Sequence, residues 1–253
     1  MRPALAALII INFLSAPAFA VTGEAPPAAL WAARPIVMVV DKDGDLCTGT
    51  ALTHDLVLTA AHCVARKTTY EVKEFQTGRS VLVKSIARHP RFDFKNYLVA
   101  RATADVALVK LAAPLPDIVV PAALAAARRV APGETLTIAG FGTTRDGSKD
   151  GLGVPRMATL TVTGRPGSLQ IRLVDPKTNE TRAGQVAGLG ACTGDSGGPA
   201  YDGLGPLVIG VVSWSAGPNE TAGCGGLTGL TPLLAYRDWI IATAKKLGSP
   251  IAP

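Results

Sequence analysis

The sequence predicts an all-β protein. Short apolar runs recur along the chain and are separated by turn residues, with 27 Gly and 19 Pro among 253 residues. No internal run is long enough to read as a helix bridging parallel strands. Short strands, frequent turn signals and the lack of βαβ spacing together exclude an α/β fold.

In chain order, residues 1–20 read as a secretory leader. Arg2 is the charged start, residues 4–14 are the apolar stretch, and Ala18-Phe19-Ala20 is a small-x-small cleavage site. A membrane anchor is the competing reading, but the apolar run is too short to span and Asn12, Ser15 and Pro17 interrupt its flank. No other segment is long and apolar enough to cross a bilayer. A soluble exported protein without a membrane anchor, secreted or periplasmic, is expected. Strands are expected at 36–40, 48–52, 56–59, 80–86, 106–111, 136–139, 157–162, 169–174, 199–201, 207–213 and 226–230. Residues 114–132, rich in Ala and Pro, predict a mostly extended linker. The chain ends in an expected helix, with Thr231 as N-cap, Pro232 at the first helical position and Gly248 as the stop. Leu233, Tyr236, Ile240, Ala244 and Leu247 recur at helical spacing and predict a face docked on the core.

Charge narrows the partners. Lys and Arg number 25 against 19 Asp and Glu, a formal charge of +6 that is spread without a basic run or interleaved aromatics. That pattern excludes nucleic acid as the expected partner and describes a solvated basic surface, with some attraction for acidic substrates or cell surfaces.

The chemistry concentrates in Ala191-Cys192-Thr193-Gly194-Asp195-Ser196-Gly197-Gly198-Pro199. Gly194 has no Cβ, so its N–H and that of Ser196 can converge on one point, where they would stabilise an oxyanion. Gly197 and Gly198 permit a sharp turn that presents the Ser196 hydroxyl. A serine in a Gly-rich turn can instead simply bond the backbone. A nucleophilic serine needs a base and an orienting carboxylate. His62 follows an apolar run in Leu58-Thr59-Ala60-Ala61-His62-Cys63, and Asp105 heads another in Ala104-Asp105-Val106-Ala107-Leu108-Val109-Lys110-Leu111. His54 and His89 read as loop or surface residues. The same serine also satisfies the G-x-S-x-G elbow of α/β-hydrolases, in which a histidine follows the serine. All three histidines here precede Ser196, which rejects that reading.

With TAAHC, DVALVKL and GDSGGP in this order, the chain resembles the trypsin-like (chymotrypsin-fold) serine protease family from Val21 to Leu247. The resemblance implies two antiparallel six-stranded β-barrels with a cleft between them and a C-terminal α-helix. Residues 21–125 would form the barrel carrying His62 and Asp105, and 126–253 the barrel carrying Ser196 and the terminal helix, together one peptidase domain. It implies peptide-bond hydrolysis by a His62, Asp105 and Ser196 triad with Gly194 and Ser196 as the oxyanion hole; the family is the worked example of this mechanism. The base of the primary specificity pocket would be Gly190, where an aspartate would favour Arg or Lys. Ser213-Trp214-Ser215 would pair with substrate backbone, Ser215 replacing the usual glycine and narrowing the wall. Thr228 would form the opposite wall, with Gly226 or Gly229 as alternatives after a small gap. A neutral, restricted pocket for a small or medium apolar side chain follows.

Activation in this family uses a new N-terminal Ile or Val whose ammonium pairs with the aspartate before the nucleophile, here Asp195. Cleavage after Ala20 would expose Val21-Thr22-Gly23-Glu24, which resembles the family's motif apart from Thr22 and Glu24. Four cysteines after a leader imply two disulfides with three pairings open. The resemblance selects Cys47 with Cys63 and Cys192 with Cys224, each stabilising by roughly 3–4 kcal/mol in the chain-entropy model. A zinc site on His62 and Cys63 lacks a C-x-x-C partner. A monomer acting on protein or peptide substrates is expected, with a protease inhibitor as a further partner and no cofactor or metal. Asn179-Glu180-Thr181 and Asn219-Glu220-Thr221 fit the glycosylation pattern and carry no weight here. Residues 142–155, rich in Gly, Asp and Lys, read as a mobile loop at the cleft rim.

Overall fold

Two rings of antiparallel pairing organise the chain in a computed structural model that describes residues 21–178, 184–203 and 205–252. The expected leader and the Asn179 pattern lie outside the described residues. The first ring comprises β1 (Ile36–Asp41), β2 (Leu46–Thr53), β3 (Leu56–Thr59), β4 (Tyr70–Lys73), β5 (Ser80–Arg88) and β6 (Ala107–Leu111). Its order is β1-β2-β3-β6-β5-β4, closed by β1 on β4. After β7 (Ala123–Leu124) come β8 (Thr135–Gly140), β9 (Arg156–Thr163), β10 (Ile171–Val174), β11 (Pro199–Asp202), β12 (Leu207–Ala216) and β13 (Leu227–Pro232). Their order β11-β8-β9-β10-β13-β12 closes through β11 on β12, and β7 adds in parallel along β12. The all-β, two-barrel expectation is met.

Strand periodicity explains why these runs are apolar on both faces. Val37, Val39, Val57 and Val109 fill the first barrel. Their neighbours Ile36, Met38, Leu56, Leu58 and Leu108 point the other way, into a cluster with Phe141, Tyr201 and Val211 between the barrels. Alternate residues of a strand face opposite sides, so burying both faces demands an unbroken apolar run. Leu136, Ile138, Leu160 and Leu230 fill the second barrel. Each such side chain taken from water contributes about 1.5–3 kcal/mol.

Several expectations need correction. β4 escapes sequence reading because it is only four residues long, with Tyr70 and Val72 as its only apolar positions. The linker at 114–132 is extended as expected but contributes β7. Short helices α1 (Leu30–Ala33) and α2 (Phe94–Leu98) interrupt the β pattern. Thr231 does not cap the terminal helix: it pairs with Val211 in the β12–β13 ladder, and Pro232 lies opposite Gly210. Ring closure holds that backbone extended. A 3-10 turn at Leu233–Ala235 intervenes, and α3 (Arg237–Lys246) starts after Tyr236 with no side-chain cap. Gly248 ends it at φ 77°. Tyr236, Ile240 and Ala244 are fully buried, as their spacing implies. His89 lies in a loop but not at the surface. It is buried edge-on against Tyr236 and Trp239, and burial lowers its pKa.

Segments near both ends of the described residues cross the division at 125/126. Thr22 bridges to Gly190 and Pro27 to Arg156, and Val21 and Ala25 join the second barrel's core. Conversely, α3 packs on β6 of the first barrel, and Lys110 of β6 binds Asp55 and Ser249 just beyond it. Each barrel therefore holds a segment from the other half of the chain.

Candidate active site

The site assembles where strand ends of the two barrels meet. β3 pairs with β6, placing Thr59 opposite Ala107, so the residues beyond these ends are neighbours. His62 opens a 3-10 turn just after β3, and Asp105 stands just before β6. The imidazole Nδ1 lies 2.7 Å from Asp105 Oδ2, and the His62 backbone N–H donates to Oδ1 at 2.9 Å. From the second barrel, Ser213 Oγ donates to Oδ2 at 2.6 Å. A carboxylate only accepts, so this arrangement puts the hydrogen on Nδ1 and leaves the Nε2 lone pair free. Asp105 is 1% exposed, so bonding on both oxygens is what makes its burial tolerable.

The loop before β11 supplies Ser196. The Thr143 N–H donates to the Thr193 carbonyl at 2.8 Å. In a trans peptide the N–H points opposite the carbonyl, so the Gly194 N–H is turned away from Thr143. Gly194 holds φ 98°, a left-handed value that a side chain would strain. Among the described residues neither the Gly194 nor the Ser196 N–H has an acceptor. His62, Gly194, Ser196, Ser213, Trp214 and Ser215 line one cleft of about 410 Å³. Asp146, from the 142–155 loop, stands at its edge.

The loop is clamped by a residue of the other barrel. Thr48, in β2 and fully buried, donates its hydroxyl to the Gly194 carbonyl at 2.8 Å and accepts the Phe141 N–H at 3.1 Å. Its own N–H donates to the Ser196 carbonyl at 2.8 Å. The bond between Cys47 and Cys63 anchors the adjacent turn, and that between Cys192 and Cys224 ties the loop to the segment before β13. Cys47, His62 and Cys63 cluster, but the two sulfurs are bonded to each other and offer no thiolate to a metal.

Gly190 and Thr228 are brought together under the cleft rather than opened into it. Both are buried, and Thr228 Oγ1 accepts the Ala191 N–H at 2.8 Å. A Cβ at Gly190 would stand 3.2 Å from that same oxygen. Ser215 is opposite Thr228 in the ladder and directs its hydroxyl to the Gly223 carbonyl at 3.3 Å.

Asp195 is the buried acid of the site. Its oxygens accept the Gly142 and Cys192 N–H groups, each at 2.8 Å. Gly140 and Gly142 lie so close that a Cβ on either would run into the carboxylate. Burial pushes this carboxyl up from 3.8 to about 7, only partly offset by the two backbone donors. No cationic side chain binds it among the described residues. Val21 is fully buried in the second barrel's core with Ala191 and Ile138, and the Thr22 N–H donates to the Gly190 carbonyl at 3.1 Å.

Sequence reading missed Tyr97 and Thr48. Tyr97 stacks on His62 with ring centroids 4.2 Å apart and planes 11° from parallel. Burial raises its pKa. It sits in α2, whose cap Asp93 accepts from the Lys95 and Asn96 N–H groups, a signal readable in advance. Nothing local distinguishes Thr48 from an ordinary strand threonine.

A double β-barrel with an imidazole–carboxylate pair from one barrel facing a serine loop from the other defines the chymotrypsin fold class. The Trypsin family model matches residues 21–240, and the chain belongs to that family. It is 30% identical over 225 residues to a trypsin of Sarcophaga bullata, covering 79% of this chain and 80% of that one. It is 26% identical over 213 residues to the snake venom serine protease rhinocerase 4 of Bitis rhinoceros, with 82% and 81% covered. Human heparin binding protein superposes with a TM-score of 0.67 at 22% identity, over 91% of this chain and 100% of that one. At that identity the likeness shows the fold alone.

Replacing Thr48 by Val keeps its shape but leaves the Gly194 carbonyl and Phe141 N–H buried without a partner. The expected loss is about 1–3 kcal/mol in denaturant unfolding, with Thr48→Ser restoring most of it. A Val variant as stable as the parent would show that the clamp contributes nothing.

Proposed function

We propose that this chain is an exported serine endopeptidase that cleaves peptide bonds through an acyl-enzyme on Ser196. The observation that carries the reading is the Asp105–His62 bond in a cleft shared with Ser196 and two amides lacking acceptors. His62 Nε2 takes the Ser196 proton as Oγ attacks the carbonyl carbon. The oxyanion then accepts from the Gly194 and Ser196 N–H groups, a contribution of about 10²–10³ in turnover per donor. The C–N bond breaks as His62 returns the proton to the leaving amine, and water repeats the cycle on the acyl-enzyme. Asp105 orients the imidazole and stabilises the imidazolium. A non-cleaving binding protein on the same scaffold is the other reading, supported by the fold of heparin binding protein. The geometry around His62 and Gly194 favours the enzyme.

Ser196→Ala should abolish cleavage while leaving unfolding unchanged, and a fluorophosphonate should label Ser196 in the parent but not in His62→Ala. Substantial turnover in the purified Ala variant would overturn the assignment.

On the specificity side, Gly190 carries no charge and Thr228 stands against it, which supports a shallow neutral pocket. In a peptide library, Ala, Val or Leu before the scissile bond should be cut better than Arg or Lys. An unpaired buried cation costs several kcal/mol. Preferential cleavage after Arg would show that a carboxylate from a neighbouring loop reaches the pocket.

Activation follows from Asp195. While Val21 is joined to residue 20 its nitrogen is uncharged; leader cleavage after Ala20 would create an ammonium to pair with the buried carboxylate, without a separate zymogen step. A carboxyl raised on folding favours stability below its unfolded pKa and loses it as pH climbs through the folded value. The shift from 3.8 to about 7 corresponds to ~4 kcal/mol lost across that window in the unpaired form, at about 1.4 kcal/mol per pH unit. A chain beginning at Val21 should therefore keep its stability between pH 4.5 and 7, whereas one with a retained Met before Val21 should lose stability and turnover. Identical pH profiles and turnover would rule out the Val21–Asp195 pair.

A further inference from the structure

The cleft does not end at Trp214. Tyr97, Ser213, Trp214 and Ser215 line both the cleft and an adjoining cavity that reaches Arg101 and Arg172. That cavity shares Gln170 and Arg172 with a further groove past Arg165. Substrate residues preceding the scissile bond would run along Ser213–Ser215, so this continuous channel is their path.

The channel's charge is one-sided. Arg101 and Arg165 are exposed and have no acidic partner among the described residues. Arg172 lies over the Trp214 ring, 5.9 Å from its centroid, and binds Glu220 at 3.2 Å. Glu220 is the one carboxylate lining this stretch among the described residues, and Arg172 already engages it. Two cations are left without a counter-charge. Among the described residues the cleft beside Ser196 is lined by the carboxylate Asp146 and by no Lys or Arg, so attraction for acidic substrate residues falls to the channel.

We propose that Arg101 and Arg165 select peptide substrates carrying acidic residues several positions before the scissile bond, behind a small apolar residue at the bond itself. This inference rests on the endopeptidase reading and specifies its substrate class. Exposed pairs of this kind act weakly one by one, so two cations facing two or three carboxylates predict a preference of roughly three- to tenfold. The same exposure makes the preference salt-sensitive, because the screening length falls to about 3 Å at 1 M salt.

The test separates binding from cleavage. Fluorescent peptides with Ala at the scissile bond and Glu, Gln or Lys at the third to fifth positions before it are titrated into Ser196→Ala protein, with anisotropy as readout. The parent protein is assayed on the same peptides for kcat and KM. The Glu peptide should bind roughly three- to tenfold tighter than the Gln peptide and the Lys peptide more weakly than either, with the difference appearing in KM. Arg101→Gln combined with Arg165→Gln should erase the preference and leave the Gln peptide unchanged, and 1 M salt should erase it in the parent. Equal binding of Glu and Gln peptides, or a preference that survives the double variant, would overturn the proposal. So would a sulfated oligosaccharide that binds in an Arg101- and Arg165-dependent way while the Glu peptide does not. Acid-selective binding without cleavage by the parent would uphold the channel and defeat the endopeptidase reading instead.

Discussion

The arrangement at the cleft depends on a hydrogen-bonded seam between barrels centred on Thr48. Its hydroxyl and backbone N–H hold the Gly194 and Ser196 carbonyls, which belong to the opposite barrel. Its carbonyl in turn accepts the Thr59 hydroxyl, three residues before His62. One residue of β2 thereby sets the height of the serine loop against the turn that carries the imidazole. Thr48, Thr59 and Gly194 are buried, so each of these groups must find its partner in the protein, and the relative position of the barrels is fixed accordingly.

The second constraint is electrostatic. Asp195 is enclosed by Gly140 and Gly142 at the end of β8, and among the described residues only backbone donors hold its carboxyl. The serine loop is built directly on this acid, and in the proposed activation its order would depend on whether the charge is compensated. Val21 is seated in the same barrel's core, and its neighbour Thr22 is bonded to Gly190, the segment from which the proposed ammonium would come. Asp105 solves the same problem differently, with three donors on two oxygens.

Function in this reading is divided between short-range and long-range terms. In that reading, close packing of Thr228 on Gly190 would keep the primary pocket shallow. Guanidiniums farther along the channel act at a distance and through solvent, where geometry matters less than sign. The stacked Tyr97 joins the two regions, because it covers the imidazole and also lines the start of the channel.

The residue types of the site, and the order in which they come, were legible in the sequence, as were most strands. Barrels with both faces buried write themselves as continuous apolar runs, and a loop that must bring two amides together writes itself as glycine. The all-β class and the Gly-rich loop of Ser196 follow from such local demands, and the order of TAAHC, DVALVKL and GDSGGP adds His62 and Asp105 by family resemblance. The tertiary structure decided what depends on residues far apart in the chain. Thr231 has the chemistry of a helix cap, yet pairing with Val211 keeps it in a strand. His89 reads as a surface residue until α3 closes over it with Tyr236 and Trp239. Thr48 and Tyr97 acquire their places at the site only because 146 residues separate Thr48 from Gly194 in sequence while 2.8 Å separates their atoms in space, and because α2 folds its ring onto His62. Local propensity is written residue by residue, but such contacts exist only once both barrels have closed.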